Sequence, residues 1–150
     1  NKAFTYDFWV KLDTYESNQA LVTKGKGLSS SAIYEVATYI VDNQKIYFDF
    51  NTSSRYARVS GVQTFDGRWI HIACVYNGSD TNQLWINGSK VSESTSLSGE
   101  TDSSHTVRIG ADSDGANFSK CPIDEVRWYN KGLSETEILT NYNNGKSAHS

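Results

Sequence analysis

The side chains that could do chemistry are few and scattered. Ile123-Asp124-Glu125-Val126 holds the densest pair of carboxylates. Glycoside hydrolysis needs two carboxyl groups ~5–9 Å apart that face one substrate. Neighbouring residues of a strand point to opposite faces, so Asp124 and Glu125 cannot share one. Asp7, Asp49 and Glu35 each stand alone in an apolar segment. No Ser-His-Asp spacing stands out, and His71 and Cys74 fall on opposite faces of one strand. His71 shares a face with Trp69, Ala73 and Val75, which predicts a core histidine hydrogen-bonded to backbone. The chain reads as a protein without catalytic machinery.

Recognition chemistry is better represented. Tyr56 lies between Arg55 and Arg58, and Tyr15, Tyr39 and Tyr47 are further aromatic positions. Aromatic rings stack on apolar sugar faces, and an arginine fork reads a carboxylate bidentately. Tyr56 and Arg58 are therefore candidate ligand contacts. Asp112-Ser113-Asp114-Gly115-Ala116-Asn117 alternates oxygen-bearing side chains before a turn glycine. It has half the pattern of a calcium loop but lacks the closing bidentate glutamate, so an ordinary Asp/Asn/Gly turn is the competing reading. Asp112, Asp114 and Asn117 stand as candidate ligand contacts. A net charge of −3 with both signs dispersed argues against nucleic acid. No apolar run approaches the ~20 residues of a membrane span, so no membrane insertion is expected.

Cys74 and Cys121 both sit among apolar residues, as two buried thiols or as one disulfide. Asn51, Asn77, Asn87 and Asn117 each open an Asn-x-Ser/Thr sequon at a turn or strand end. With the surplus of Ser, Thr, Asn and Gly, these point to an extracellular or cell-surface protein. Asn1 is no initiator residue and no signal peptide precedes it, so the chain is expected to be a mature product or a piece of a longer one.

The elements that must position these residues are mostly strands. Gly67 to Tyr76 is apolar and β-favouring with one polar interruption, and reads as a strand buried on both faces. Leu84-Trp85-Ile86 runs into Asn87-Gly88, a dipeptide that closes a primed hairpin turn. Phe4 to Asp13 alternates, with Phe4, Tyr6, Phe8, Val10 and Leu12 on one face. Further strands are expected at Ala20–Lys24, Ala32–Val41, Lys45–Phe50, Tyr56–Ser60, near Lys90-Val91, at Thr106–Gly110 and at Ile123–Tyr129. Trp9, Trp69 and Trp128 are expected in the core and Trp85 half-exposed at the hairpin. Only the C-terminus reads as helix. Ser134-Glu135-Thr136-Glu137 is a capping box, Ile138 and Leu139 supply the buried face, and Gly145 is expected as a left-handed stop. About ten short strands and one helix in 150 residues predict a single domain: an all-β, two-sheet antiparallel jelly-roll sandwich with one short C-terminal helix.

In this order and spacing, four blocks make the chain resemble the laminin-G-like, concanavalin A-like jelly-roll domains. They are Phe4–Val10, Asp66–Ala73, Leu84–Gly88, and Arg108-Ile109-Gly110 through Ile123–Tyr129 to Leu133-Ser134-x-x-Glu137-Ile138. The resemblance covers roughly Phe4 to Tyr142 and implies fold far more than chemistry. It implies a non-catalytic extracellular recognition module whose partners are glycans or other extracellular proteins, with carbohydrate as the first expectation. A structural or adhesive subunit of a surface assembly is the alternative, and a polysaccharide-active enzyme comes last. It also implies a Ca²⁺ held by Asp124 and loop carbonyls. Such domains usually carry a strand before the Phe-Thr block. Here that strand lies elsewhere, or comes from a neighbouring segment, or is donated by a partner chain.

Overall fold

The computed structural model describes residues 2–13, 16, 18–25, 34–41, 44–52, 55–95, 106–112 and 115–150, without the side chains at 34, 35, 41, 51, 52, 55–59 and 62. Ten strands and one helix follow in chain order: β1 (Phe4–Leu12), β2 (Gln19–Gly25), β3 (Tyr34–Val41), β4 (Lys45–Thr52), β5 (Arg55–Val62), β6 (Arg68–Tyr76), β7 (Asn82–Ile86), β8 (Ser89–Ser94), β9 (Val107–Ile109), β10 (Ile123–Tyr129) and α1 (Glu135–Lys146). They form two five-stranded antiparallel sheets. The first has the order β10-β1-β6-β7-β8 and the second β5-β4-β3-β2-β9. The fold is the expected all-β sandwich with a C-terminal helix.

Alternation decides what lies between the sheets. Tyr6, Phe8, Val10 and Leu12 from β1 meet Leu21, Ile40, Ile46, Phe48 and Phe50 in one buried apolar cluster. Polar atoms inside it are paired: the Tyr6 hydroxyl lies 2.5 Å from Thr38 Oγ1, which also contacts Cys74 Sγ at 3.2 Å. The helix packs on the outer face of the first sheet, where Ile138 and Leu133 cover Ala73, Val75 and Trp85. Among the described residues no helix is long and apolar enough to cross a membrane.

The Asn87-Gly88 turn has φ of 51° and 77° at its two residues, as the primed hairpin requires. Gly88 has a second reason to be glycine: a Cβ there would sit 2.9 Å from Leu139 Cδ1 and 3.2 Å from Tyr142 Cδ1. The helix therefore rests on the hairpin.

Three expectations need correction. Gly145 does not stop the helix, which continues to Lys146 and is capped by Ser147 in a right-handed conformation. Gly145 is instead buried under Trp9, where a Cβ would lie 2.8 Å from Cε2 and closer still to Nε1. Leu139 is 43% exposed, so Ile138 is the fully buried side chain of that turn of the helix. The tryptophans exchange roles. Trp85 is buried because α1 covers β7, whereas Trp128 is 41% exposed because β10 is an edge strand. Of the two readings left open for the cysteines, the structure shows two buried thiols and no disulfide between Cys74 and Cys121. Cys74 is level with Tyr6, and Cys121 precedes Pro122, whose carbonyl takes the Lys11 N–H. Five residues of β1 separate those levels, on the order of 17 Å at ~3.4 Å per residue, against the ~4.4–6.8 Å that a disulfide spans.

Candidate functional site

The two outer sheet faces differ. On the first sheet, Asp7, Trp9, Trp69 and His71 point outward and are roofed by α1. Asp7 Oδ1 accepts from Arg127 Nε at 2.8 Å and Oδ2 accepts from Asn141 Nδ2 at 2.7 Å. Asn141 Nδ2 also reaches the Tyr129 hydroxyl at 3.0 Å. Burial pushes the Asp7 carboxyl up, and His71 and Arg127 together outweigh it, so the group is held below the usual carboxylate range. His71 Nε2 stands 3.5 Å from Asp7 Oδ2, too long for a good hydrogen bond and better described as an electrostatic contact. The imidazole faces a carboxylate rather than backbone, a partner 64 positions away that strand periodicity does not reveal. Among the described residues neither ring nitrogen has a hydrogen-bond partner, and the ring is fully buried. An Asp-His pair sealed this way meets no nucleophile among the described residues.

The C-terminal end of α1 seals the face further. The His149 ring stacks on Trp9 at 4.4 Å and 2° and meets Trp69 edge-on at 4.8 Å. Its Nδ1 is 2.8 Å from the Gly145 carbonyl and its Nε2 3.3 Å from Asp124 Oδ2. Asp124 Oδ1 accepts the Glu125 N–H at 2.7 Å. Its neighbours are thus an imidazole and a backbone amide. Among the described residues no group of three or more acidic, His or Cys side chains gathers as a metal site. Calcium takes 6–8 oxygen ligands, and this donor set does not fit it.

The second sheet presents a different surface. Tyr39 on β3 and Tyr47 on β4 are register partners and stack at 5.7 Å and 18°. The Tyr39 hydroxyl donates to Asp49 Oδ2. Asp49 is buried, and Tyr47 is half-buried. Register then extends the row. Thr23, Ala37, Asp49 and Arg58 stand side by side across β2, β3, β4 and β5, and Asn51 pairs with Tyr56. Three strand spacings of ~4.8 Å make that row about 14 Å long. Tyr56 and Arg58, chosen from sequence at separate positions, thus join Tyr39, Tyr47 and Asp49 on one sheet. The side chains of Tyr56, Arg58 and Asn51, and the whole of Tyr15 and Asp114, lie outside the described residues.

At the β2 end of the row stands the loop after β9. The Thr23 hydroxyl donates to the Ala111 carbonyl at 3.0 Å, and the Ala20 N–H donates to the Asn117 carbonyl at 2.8 Å. Asp112 is fully buried. Its Oδ1 accepts the Ala116 N–H at 2.8 Å and its Oδ2 accepts Asn117 Nδ2 at 2.6 Å. These bonds hold the loop's shape, and they also take up the Asn117 amide that opens a sequon. Asn77 and Asn87 likewise use Oδ1 to accept backbone N–H groups, Asn77 from Ser79, Asp80 and Thr81, and Asn87 from His71. A groove that sequence did not suggest runs beside the start of α1. It has about 550 Å³ of space and is lined by Gln83, Trp85, Lys90, Ser134 and Glu135 among others.

Comparison with known proteins fits this architecture. A family model described as the concanavalin A-like lectin/glucanases superfamily matches residues 1–139. No curated protein matches in sequence. Among solved structures, the carbohydrate-binding module CBM40 of the Ruminococcus gnavus IT-sialidase has a TM-score of 0.73 at 14% identity, covering 94% of this chain and 83% of that one. The receptor-binding domain of botulinum neurotoxin type G has a TM-score of 0.72 at 13% identity, with 94% and 38% covered. The Trypanosoma rangeli sialidase, in complex with 2,3-difluoro-KDN, has 0.68 at 20%, with 93% and 22% covered. The chain spans little more than a third of the neurotoxin binding domains it matches. The family match over nearly the whole chain, together with two sheets in this order, establishes that the chain belongs to the concanavalin A-like lectin/glucanases superfamily.

Proposed function

We propose that the chain is a non-catalytic, extracellular carbohydrate-binding module whose glycan docks on the outer face of the second sheet. The observation that carries this reading is the contrast between the two outer faces. The helix covers the first, whereas the second holds a stacked tyrosine pair over a buried carboxylate, with Arg58 in register. A half-buried ring supports stacking on a sugar's C–H face. Asp49 is buried and holds the Tyr39 hydroxyl, and Arg58 is its register partner on β5, a residue type that reads carboxylates bidentately. Arg58 favours an acidic sugar. The structurally similar CBM40 belongs to a sialidase, which makes sialyllactose the first probe.

Calorimetric titration with sialyllactose, followed by a glycan array, tests the proposal. Tyr47→Ala and Arg58→Ala are expected to weaken binding about 10- to 100-fold, the value of a charge-assisted hydrogen bond or a stacking contact at ~1.5–3 kcal/mol. Released sialic acid should stay at the uncatalysed level. Absence of binding to every arrayed glycan would overturn the reading.

A further inference from the structure

Among the described residues the sandwich is open along one side. Its two edge strands there are β9 of the second sheet and β10 of the first. At the lower part of this mouth Cys121 is buried and Ile123 packs on the core. Above it the wall is apolar and, among the described residues, uncovered. Val107 is 40%, Ile109 55% and Trp128 41% exposed. Trp128 is no stray surface residue: its ring lies 4.9 Å from the fully buried Tyr6 and 5.6 Å from Phe4. Ile109 pairs with the buried Val22, so Val107 and Ile109 face the same interior as Trp128. An open apolar mouth between two unpaired edges is a liability that folded proteins normally cover.

We propose that this mouth is a docking site for an extended segment of a partner polypeptide, added as a strand beside β9. The segment would carry an acidic residue between two apolar ones. The edge itself selects these features. β9 is regular, whereas the β10 ladder breaks between Asp7 and Trp9 and holds Glu125 at a φ of 48°, which spoils a second ladder there. A strand paired antiparallel to Val107-Arg108-Ile109 turns its residue opposite Arg108 to the outer face and its two neighbours into the mouth. The neighbours then meet Val107, Ile109 and Trp128 and must be apolar. Arg108 is exposed and has no ion pair among the described residues. It would be matched by an Asp or Glu. A second copy fits poorly, because self-pairing centred on Arg108 sets two guanidinium groups directly opposite each other.

Two eight-residue peptides test this, both alternating valine and threonine, one with a central glutamate and its twin with lysine there. The glutamate peptide is expected to bind and to slow amide exchange at β9. The lysine twin should bind about tenfold more weakly, and Arg108→Glu should reverse the preference. Arg108→Glu and wild type should melt alike, since Arg108 is exposed. Equal binding of the two peptides, or no protection of β9, overturns the proposal. So does a concentration-dependent dimer that Ile109→Lys abolishes, which would make a second copy the occupant. None of these readouts involves the glycan face.

Discussion

Asp7 joins three distant parts of the chain, through Arg127, Asn141 and His71. It is fully buried, and Arg127 reaches it from a position 120 residues away. Removing one partner of such a pair leaves the other stranded, so Asp7→Asn is expected to destabilise the fold by about 2–3 kcal/mol, the lower end because Arg127 is a third exposed. The sign with pH follows from the depressed carboxyl. A group whose folded value lies below its unfolded value (~3.9 for Asp) stabilises fully above the unfolded value and loses that contribution as pH falls through the folded one. Urea midpoints should therefore drop below pH ~4 in wild type, and that part of the drop should vanish in Asp7→Asn. Cys74 supplies a second residue-scale test. Burial pushes its thiol up to about 12, with the Thr38 hydroxyl too weak to offset it. Native protein should leave the thiol unreactive toward Ellman's reagent at pH 8, and denatured, unreduced protein should titrate two thiols per chain. A single titratable thiol or none would contradict the absence of a disulfide.

Among the elements, the helix is held by fit more than by apolar area. Its capping box forms as expected: Glu137 N–H donates to the Ser134 hydroxyl, and the Ser134 N–H donates to Glu137. Its C-terminal turn is fixed by a notch. Alanine normally stabilises a helix over glycine by ~1 kcal/mol. At Gly145 the sign should invert, because the added methyl meets the indole of Trp9, itself wedged against His149. Gly145→Ala is expected to lower stability by about 1–3 kcal/mol, read as a fall in the melting temperature. A rise would show that the helix can lift from Trp9 at no cost. This is also where sequence stopped being informative. Caps and strands are local, so Ser134, Asn87-Gly88 and the alternation of Phe4–Leu12 announced themselves. Whether Gly145 served a left-handed turn or a close contact depended on Trp9, 136 positions away, and nothing local distinguishes the two.

At the scale of the whole molecule, the sandwich separates holding the fold from meeting a ligand. Ten strands were legible because their periods are short. Which sheet face the helix would cover was not, and that choice decides which candidates remain accessible. It buries Trp85 and His71, leaves Trp128 at an edge, and leaves half-buried Tyr47 on the face away from α1, where Arg58 stands in register with Asp49. Tyr56–Arg58 and Asp112–Asn117 looked unrelated in sequence and stand at opposite ends of one sheet. The two faces lie on opposite sides of a core about 10 Å thick, far enough for substitutions to act independently. A double dissociation is therefore expected. Asp7→Asn and Gly145→Ala should lower the melting temperature while leaving sialyllactose affinity unchanged below the transition. Tyr47→Ala should abolish most of that affinity with a melting temperature close to wild type, since Tyr47 is only half-buried and its partner Tyr39 keeps its bond to Asp49. If affinity instead falls in step with stability in all three variants, the glycan is held on the helix-covered sheet. The groove lined by Trp85 and Lys90 then becomes the site to test.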